Sequence, residues 1–381
     1  MDILFERYAD LIIHSALKLR RGDVLSINTE EENIGFAHLV ARKARSITGN
    51  GSYIQNLENG KVEITEEAST DNPIEKKPTA FLYLPVYRPF NAVEDRAYSA
   101  PELQAFRLLA DPLHSDVPLI PYVSAPLPSD EWGRALDEEG NAGLSASLLS
   151  DFLELAEDDY LEASIENESV IQYQLEKLNS MKLGKARLTS EEGTDLEFSF
   201  LEGSIFSSSL MRTKSGRVFK PNISSPDIFR AIDPKSANGY ITITKPVMLF
   251  GKAIRYLSMR FEEGRIVDFQ ADEEAGKLFS IFLKQDNAAA FASELSITEE
   301  IAGITNIGYF AIPQWDRMKS TSITIGGCRP ESLVGQDAVE KANDSMVTLS
   351  LPIGSDYLTL TALDSNGNEI SIMEDGIIRE E

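Results

Sequence analysis

Leu257-Ser258-Met259-Arg260-Phe261-Glu262-Glu263-Gly264-Arg265-Ile266-Val267-Asp268-Phe269 is the stretch that decides the fold of the second half of this chain. Leu257, Met259 and Phe261 alternate with polar residues, and Glu262-Glu263-Gly264-Arg265 supplies a turn before the chain extends again. A period of two interrupted by a glycine-bearing turn predicts an antiparallel hairpin. The same period recurs in Leu196-Glu197-Phe198-Ser199-Phe200. It returns where Leu358-Thr359-Leu360 meets Ile370-Ser371-Ile372 across Asn366-Gly367. From Gly184 onward such segments dominate, and one clear helix is expected over Glu273–Gln285. Residues 183–381 therefore read as a β-rich domain with one helix.

Working back toward the N-terminus, the pattern changes. Phe5, Tyr8, Ala9, Ile12, Ile13, Ala16 and Leu17 recur at helical spacing until Arg20-Arg21-Gly22-Asp23. Cations followed by glycine are a helix stop. Val24–Ile27 then predicts a strand, Ile34 to Ala44 a helix that stops near Gly49-Asn50-Gly51, and Tyr53–Gln55 a second strand. Strand, helix, strand implies a parallel sheet in an α/β domain. Phe81–Leu84 and Val117–Val123 read as further strands, with a helical stretch over Pro101–Leu109 between them. A helix-rich connector covers Leu144–Met181, so the domain boundary is placed near residue 182 and the first domain over 1–182.

The chain has 381 residues, which favours two domains over one. Its net charge of −25 disfavours nucleic acid and an anionic membrane surface as partners. A cationic partner, or the free amino terminus of a peptide, suits that field better. No apolar run approaches the ~20 residues of a membrane span. The acidic opening Met1-Asp2-Ile3 is unlike a signal peptide. A single cysteine, Cys328, excludes an internal disulfide framework. These features together lead to the expectation of a cytoplasmic protein.

Several segments in order resemble the aminopeptidase T family of thermophilic metallo-aminopeptidases. Tyr8-Ala9-Asp10-Leu11 through Asp23-Val24-Leu25 is similar to its opening helix and strand. Gly193-Thr194-Asp195-Leu196, Asn222-Ile223-Ser224-Ser225-Pro226-Asp227-Ile228-Phe229, Lys245-Pro246 and the hairpin through Phe269 resemble its second domain. Phe291-Ala292-Ser293-Glu294-Leu295 and the tail from Pro352-Ile353-Gly354 to Asn366-Gly367-Asn368-Glu369-Ile370 complete the set. The resemblance implies an N-terminal α/β domain, a β-rich α+β catalytic domain, a homodimer and two divalent metals held by histidines and carboxylates.

The expected ligands are mostly absent. All three histidines, His14, His38 and His114, lie in the first third of the chain. Where the resemblance implies a glutamate pair, Pro226-Asp227 stands, and Glu294 is retained. Tyr309, in Tyr309-Phe310-Ala311-Ile312-Pro313, takes the place of the first histidine. Thr348-Leu349-Ser350 takes the place of a histidine and an aspartate two residues apart, with Thr348 and Ser350 keeping the strand alternation. Neutral hydroxyls do not hold transition metals as imidazole and carboxylate do. The expectation is no metal cofactor and no two-metal hydrolysis.

The remaining chemistry is sparse. Cys328 has no histidine in its own domain to act as a base, so it reads as a small buried residue. His38 and His14 sit on helices beside apolar positions, and no Walker loop, dinucleotide fingerprint or serine elbow is present. The expected function is therefore binding of a peptide, or a peptide-like segment of a partner, in the former cleft. Asp227 and Glu294 would take its amino terminus, and Tyr309, Thr348 and Ser350 would supply neutral hydrogen bonds. Equally, the two carboxylates could pair with local arginines. Other readings are an aminopeptidase with an altered metal site, or a regulatory subunit beside an active homologue or in a peptide natural-product pathway.

Overall fold

The apolar stripe of the first helix is buried as its spacing requires: Tyr8, Ala9, Ile12, Ile13, Ala16 and Leu17 are all sealed from solvent. The helix Asp2–Asp10 does not continue as a regular α-helix, however. It widens into a π-helical segment, Leu11–Ala16, and the Leu17 N–H reaches the Ile12 carbonyl at 2.9 Å. The computed structural model describes residues 2–65, 77–88, 120–223, 227–299 and 308–379. The helix expected over Pro101–Leu109, His114 and Ala302–Ile307 lie outside the described residues.

The chain divides into two units. In the first, β1 (Leu25–Thr29) runs parallel to β2 (Tyr53–Asn56) and β4 (Ala80–Leu84). An antiparallel edge strand β3 (Val62–Ile64) joins β2, and β5 (Tyr122–Ser124) lies parallel to β4, giving the order β3-β2-β1-β4-β5. The connector is helical over Ala142–Phe152 and Tyr160–Ser180. The N-terminal unit is α/β, as strand–helix–strand periodicity implies.

The first compact unit runs as far as Ser169 and the second takes over at Val170, within the helix Tyr160–Ser180. The segment from Ser209 to Ile223 also belongs with the first unit. Composition could not reveal that return, because long-range polar contacts create it. The Lys220 N–H donates to the Ala16 carbonyl at 3.0 Å. Its Nζ donates to Ser15 Oγ at 3.0 Å, Ser164 Oγ at 2.8 Å and the Ser164 carbonyl at 2.9 Å, with a Glu168 oxygen 3.5 Å away. Arg217 forks onto Asp23 at 2.8 and 3.1 Å.

In the second unit, β6 (Lys185–Thr189), β7 (Asp195–Ser199), β12 (Asn238–Thr242), β15 (Leu257–Glu262), β16 (Arg265–Ala271), β20 (Thr359–Leu363), β21 (Glu369–Glu374) and β22 (Ile377–Ile378) form one sheet. Its order is β16-β15-β12-β7-β6-β20-β21-β22. Leu360, Leu188, Leu196, Ile241 and Met259 fall on one face by register and are buried. Arg187 and Asp195 occupy the other face and pair there at 2.9 Å. The β15–β16 turn puts Gly264 at φ +80°, and a Cβ there would meet the Pro234 carbonyl oxygen at 1.8 Å. The helix Glu273–Phe282 follows, capped by the Asp272 side chain on the Ala275 N–H.

A second sheet holds β8 (Ser207–Ser208), β11 (Ile228–Ala231), β17 (Ala292–Ile297), β18 (Ser322–Gly326) and β19 (Thr348–Pro352), in the order β19-β18-β17-β11-β8. Every residue of β17 and β18 is buried, including Glu294, Ser296, Ser322 and Thr324. The short pairs β9 (Met211–Arg212) with β10 (Val218–Phe219), and β13 (Val247–Leu249) with β14 (Lys252–Ile254), complete the strands.

Lys220 makes the return segment pH-sensitive. Burial pushes its ammonium down from 10.5 to about 8, against the pull of Glu168. The unfolded chain therefore holds this proton more tightly, so the stability contributed by Lys220 increases as pH rises from about 8 toward 10.5 and is lost as pH falls through about 8. Relative to Lys220→Met, wild type should gain roughly 3 kcal/mol across that window, read from urea-unfolding midpoints. Parallel pH profiles for the two proteins would remove Lys220 from this role.

Candidate functional site

The polar face of the second sheet is set by strand register. Glu294 on β17 lies opposite Thr324 on β18, which lies opposite Ser350 on β19. Glu294 also lies opposite Ala231 on β11, and Ser296 opposite Phe229. Side chains in one cross-strand row share a face, and so do residues two apart along a strand. Glu294, Ser296, Phe229, Thr324, Ser322 and Ser350 therefore project from the same side, with Asp227 two residues before Phe229. Burying this many polar groups is costly unless they bond one another.

The group that satisfies them is Arg329. Its Nη1 and Nη2 meet Asp227 Oδ1 and Oδ2 at 3.1 and 2.7 Å. Its Nε meets Glu294 Oε1 at 3.0 Å, and its own backbone N–H meets Glu294 Oε2 at 2.9 Å. Nη2 also lies 2.9 Å from Glu294 Oε1. Ser296 Oγ adds a bond to Asp227 Oδ2 at 2.7 Å. All four carboxylate oxygens thus accept hydrogen bonds from the protein. The guanidinium carbon Cζ sits over Phe229, 3.3 Å from the ring centroid, a cation–π arrangement.

Electrostatics follow from this geometry. Burial alone would raise the Asp227 carboxyl, but the charge and hydrogen bonds of Arg329 and the Ser296 hydroxyl outweigh it and hold Asp227 below the usual range. Burial draws the Arg329 guanidinium down, and Asp227 and Glu294 more than reverse that. A second guanidinium, Arg317, is within electrostatic reach; burial and then Arg329 lower its pKa, while Glu294 and Asp227 oppose them. Burial, with Glu294 as a lesser cause, pushes the Cys328 thiol up to about 11, so no thiolate forms at neutral pH.

Local backbone delivers Arg329 to this place. β18 ends at Gly326, whose φ is +85° and where a Cβ would meet the Val347 carbonyl oxygen at 2.1 Å, so there is no room for a side chain. The chain then turns through Cys328 to Arg329, and the Ser332 hydroxyl donates to the Arg329 carbonyl at 3.1 Å.

A model of the family described as thermophilic metalloprotease (M29) matches residues 118–377. The chain belongs to the M29 thermophilic metalloprotease family. Aminopeptidase PepS of Streptococcus thermophilus is 23% identical over 97% of each chain. Aminopeptidase T of Thermus aquaticus is 27% identical over 48% of this chain and 46% of its own length. The structure of wild-type AmpT from Thermus thermophilus superposes with a TM-score of 0.75 at 20% identity, covering 98% of both chains. The M29 two-domain architecture, α/β followed by β-rich, is the fold of this protein.

The M29 fold carries an altered site here. Among the described residues no three His, Cys, Asp or Glu side chains are grouped to hold a metal ion. Asp227 and Glu294 do come together, but their oxygens are filled by Arg329 and Ser296. The residues present do not fit a pair of divalent metals.

The other expected residues are placed less tightly. Ser350 shares the Glu294 face two strands away, roughly 10 Å at ordinary strand spacing, and its hydroxyl donates to Ser322 Oγ at 2.8 Å. Thr348 opens β19 and is exposed. Tyr309 is half-buried, next to Phe310, whose N–H bonds to Asp316 at 2.8 Å. His38 is partly exposed, 3.7 Å from Glu63, well separated in sequence from these residues. Arg329 is the functional residue that sequence reasoning did not select. Its only signal is an arginine three residues after Gly326, where a β-strand ends in a glycine pair.

Removing Arg329 leaves two buried carboxylates without the cation that hydrogen-bonds them. Arg329→Ala should cost about 3–5 kcal/mol, measured by chemical denaturation. Neutralising the pair as well, with Asp227→Asn and Glu294→Gln, should recover part of that loss in a mutant cycle. The depressed Asp227 contributes stability that is fully present above its ordinary value of 3.8 and is lost as pH falls through its lower folded value. Asp227→Asn should flatten that acid limb; an unchanged limb would show that the pair carries little coupling.

Proposed function

We propose that this chain is a non-hydrolytic member of the M29 family that binds a peptide, or a peptide-like segment of a partner protein, at the family's former metal site. The observation that carries this reading is the Arg329 guanidinium on Asp227 and Glu294. Two-metal peptidases use their ions to activate water and to clamp the reacting oxygens. A guanidinium held by both carboxylates does neither. The relatives are named as aminopeptidases, which supports a peptide as the kind of molecule this surface handles.

In this reading the five expected residues divide into two roles. Asp227 and Glu294 are committed to Arg329 and set the frame, instead of meeting the amino terminus of a ligand directly. Tyr309, Thr348 and Ser350 offer neutral hydrogen bonds. Ser350 donates to Ser322 and keeps acceptor capacity for a ligand N–H. We also propose a cytoplasmic homodimer, for which light scattering is the direct test; no described helix is long and apolar enough to cross a membrane.

Two measurements test the binding reading. Aminoacyl-anilide release should stay at background with Zn²⁺, Mn²⁺ or Co²⁺ added, and metal-dependent turnover would overturn the non-hydrolytic assignment. Calorimetry against a peptide panel should find binding that weakens about tenfold or more in Tyr309→Phe/Thr348→Val/Ser350→Ala, since each hydrogen bond contributes roughly 0.5–1.5 kcal/mol. Undiminished affinity in that variant would remove the three residues from the site.

A further inference from the structure

We infer that the pocket formed by Asp227, Glu294 and Phe229 is a guanidinium receptor, selective for a flat monocation and occupied in this chain by its own Arg329. The inference stands on the geometry of the pocket and does not rest on the peptide reading.

Three features of the pocket select shape as well as charge. Phe229 forms a floor 3.3 Å from the guanidinium carbon, a distance that suits a planar group lying on the ring. Asp227 faces the Nη1/Nη2 edge with both oxygens, at 3.1 and 2.7 Å. Glu294 Oε1 faces the Nε/Nη2 edge at 3.0 and 2.9 Å. Donors in one plane, with two edges read by two carboxylates, match the fixed fork of a guanidinium. An ammonium has three donors in a cone and cannot lie flat on the ring while meeting both edges.

A divalent metal fits worse. Ca²⁺ takes about six to eight oxygen ligands and Mg²⁺ near-ideal octahedral geometry, and an aromatic face supplies none. Ser296 adds a further constraint, because its hydroxyl at 2.7 Å fixes Asp227 Oδ2 toward the Nη2 edge.

The test is chemical rescue of the full-length Arg329→Ala protein, followed by thermal unfolding. The variant should unfold roughly 10 °C below wild type. Millimolar methylguanidinium should restore about 3 °C or more of that loss, because a ligand bound only by the folded state stabilises it. Methylammonium and Mn²⁺ at the same concentration should restore little, and wild type should respond to none of the three. Rescue by Mn²⁺ or methylammonium equal to that by methylguanidinium would overturn the selectivity, and no rescue by any of them would overturn the receptor. Should Arg329→Ala fail to fold, Arg329→Lys decides the matter: it keeps the charge and loses the flat fork. A Tm several degrees below wild type supports the inference, and a Tm equal to wild type refutes it.

Discussion

Two carboxylates buried on one sheet face must be neutralised, and the rest of the site follows from how this chain does so. Asp227, just before β11, and Glu294, on the neighbouring strand β17, are sealed from solvent. Ionised groups in such a place lose their hydration, which is recovered only with good geometry and every lone pair engaged. Arg329 meets that condition with its side chain and its backbone N–H together. Three segments, those bearing β11, β17 and the chain after β18, are therefore joined at one charged centre.

That centre explains how a family built around metals retains its architecture without the usual ligand set. In this sheet the positions that share the polar face are fixed by register, and register is set by the pattern of buried residues over whole strands. Replacing individual ligands leaves the pattern intact. Glu294, Thr324 and Ser350 remain in one row, and Ser322 and Ser350 bond each other. The fold tolerates new chemistry because the strands supply the geometry and the side chains only occupy it.

Much of the fold was legible from period and turn chemistry. The β15–β16 hairpin, the β20–β21 hairpin and the helix beginning at Glu273 lie where alternation and glycine placement put them. These features are local, so a few neighbouring residues determine them. The first helix was less legible: seven apolar positions at helical spacing do not distinguish a regular turn from the widened one at Leu11–Ala16. The attachment of Ser209–Ile223 to the first unit was invisible, because Lys220 meets Ser15 and Ser164 only after the chain has folded.

The sequence by itself determined the fold class, the family and the loss of the expected histidines, since these depend on residue type, order and spacing along the chain. It also brought forward Asp227 and Glu294 as surviving carboxylates, and left open whether they would face a ligand or a local arginine. Only the tertiary structure decided that question. Arg329 is 102 residues from Asp227 and 35 from Glu294, so no local pattern joins them. Their meeting depends on antiparallel strand register and on Gly326 carrying the chain through a turn that a side chain would block. Charge pairing at that sequence separation is a property of the packed sheet.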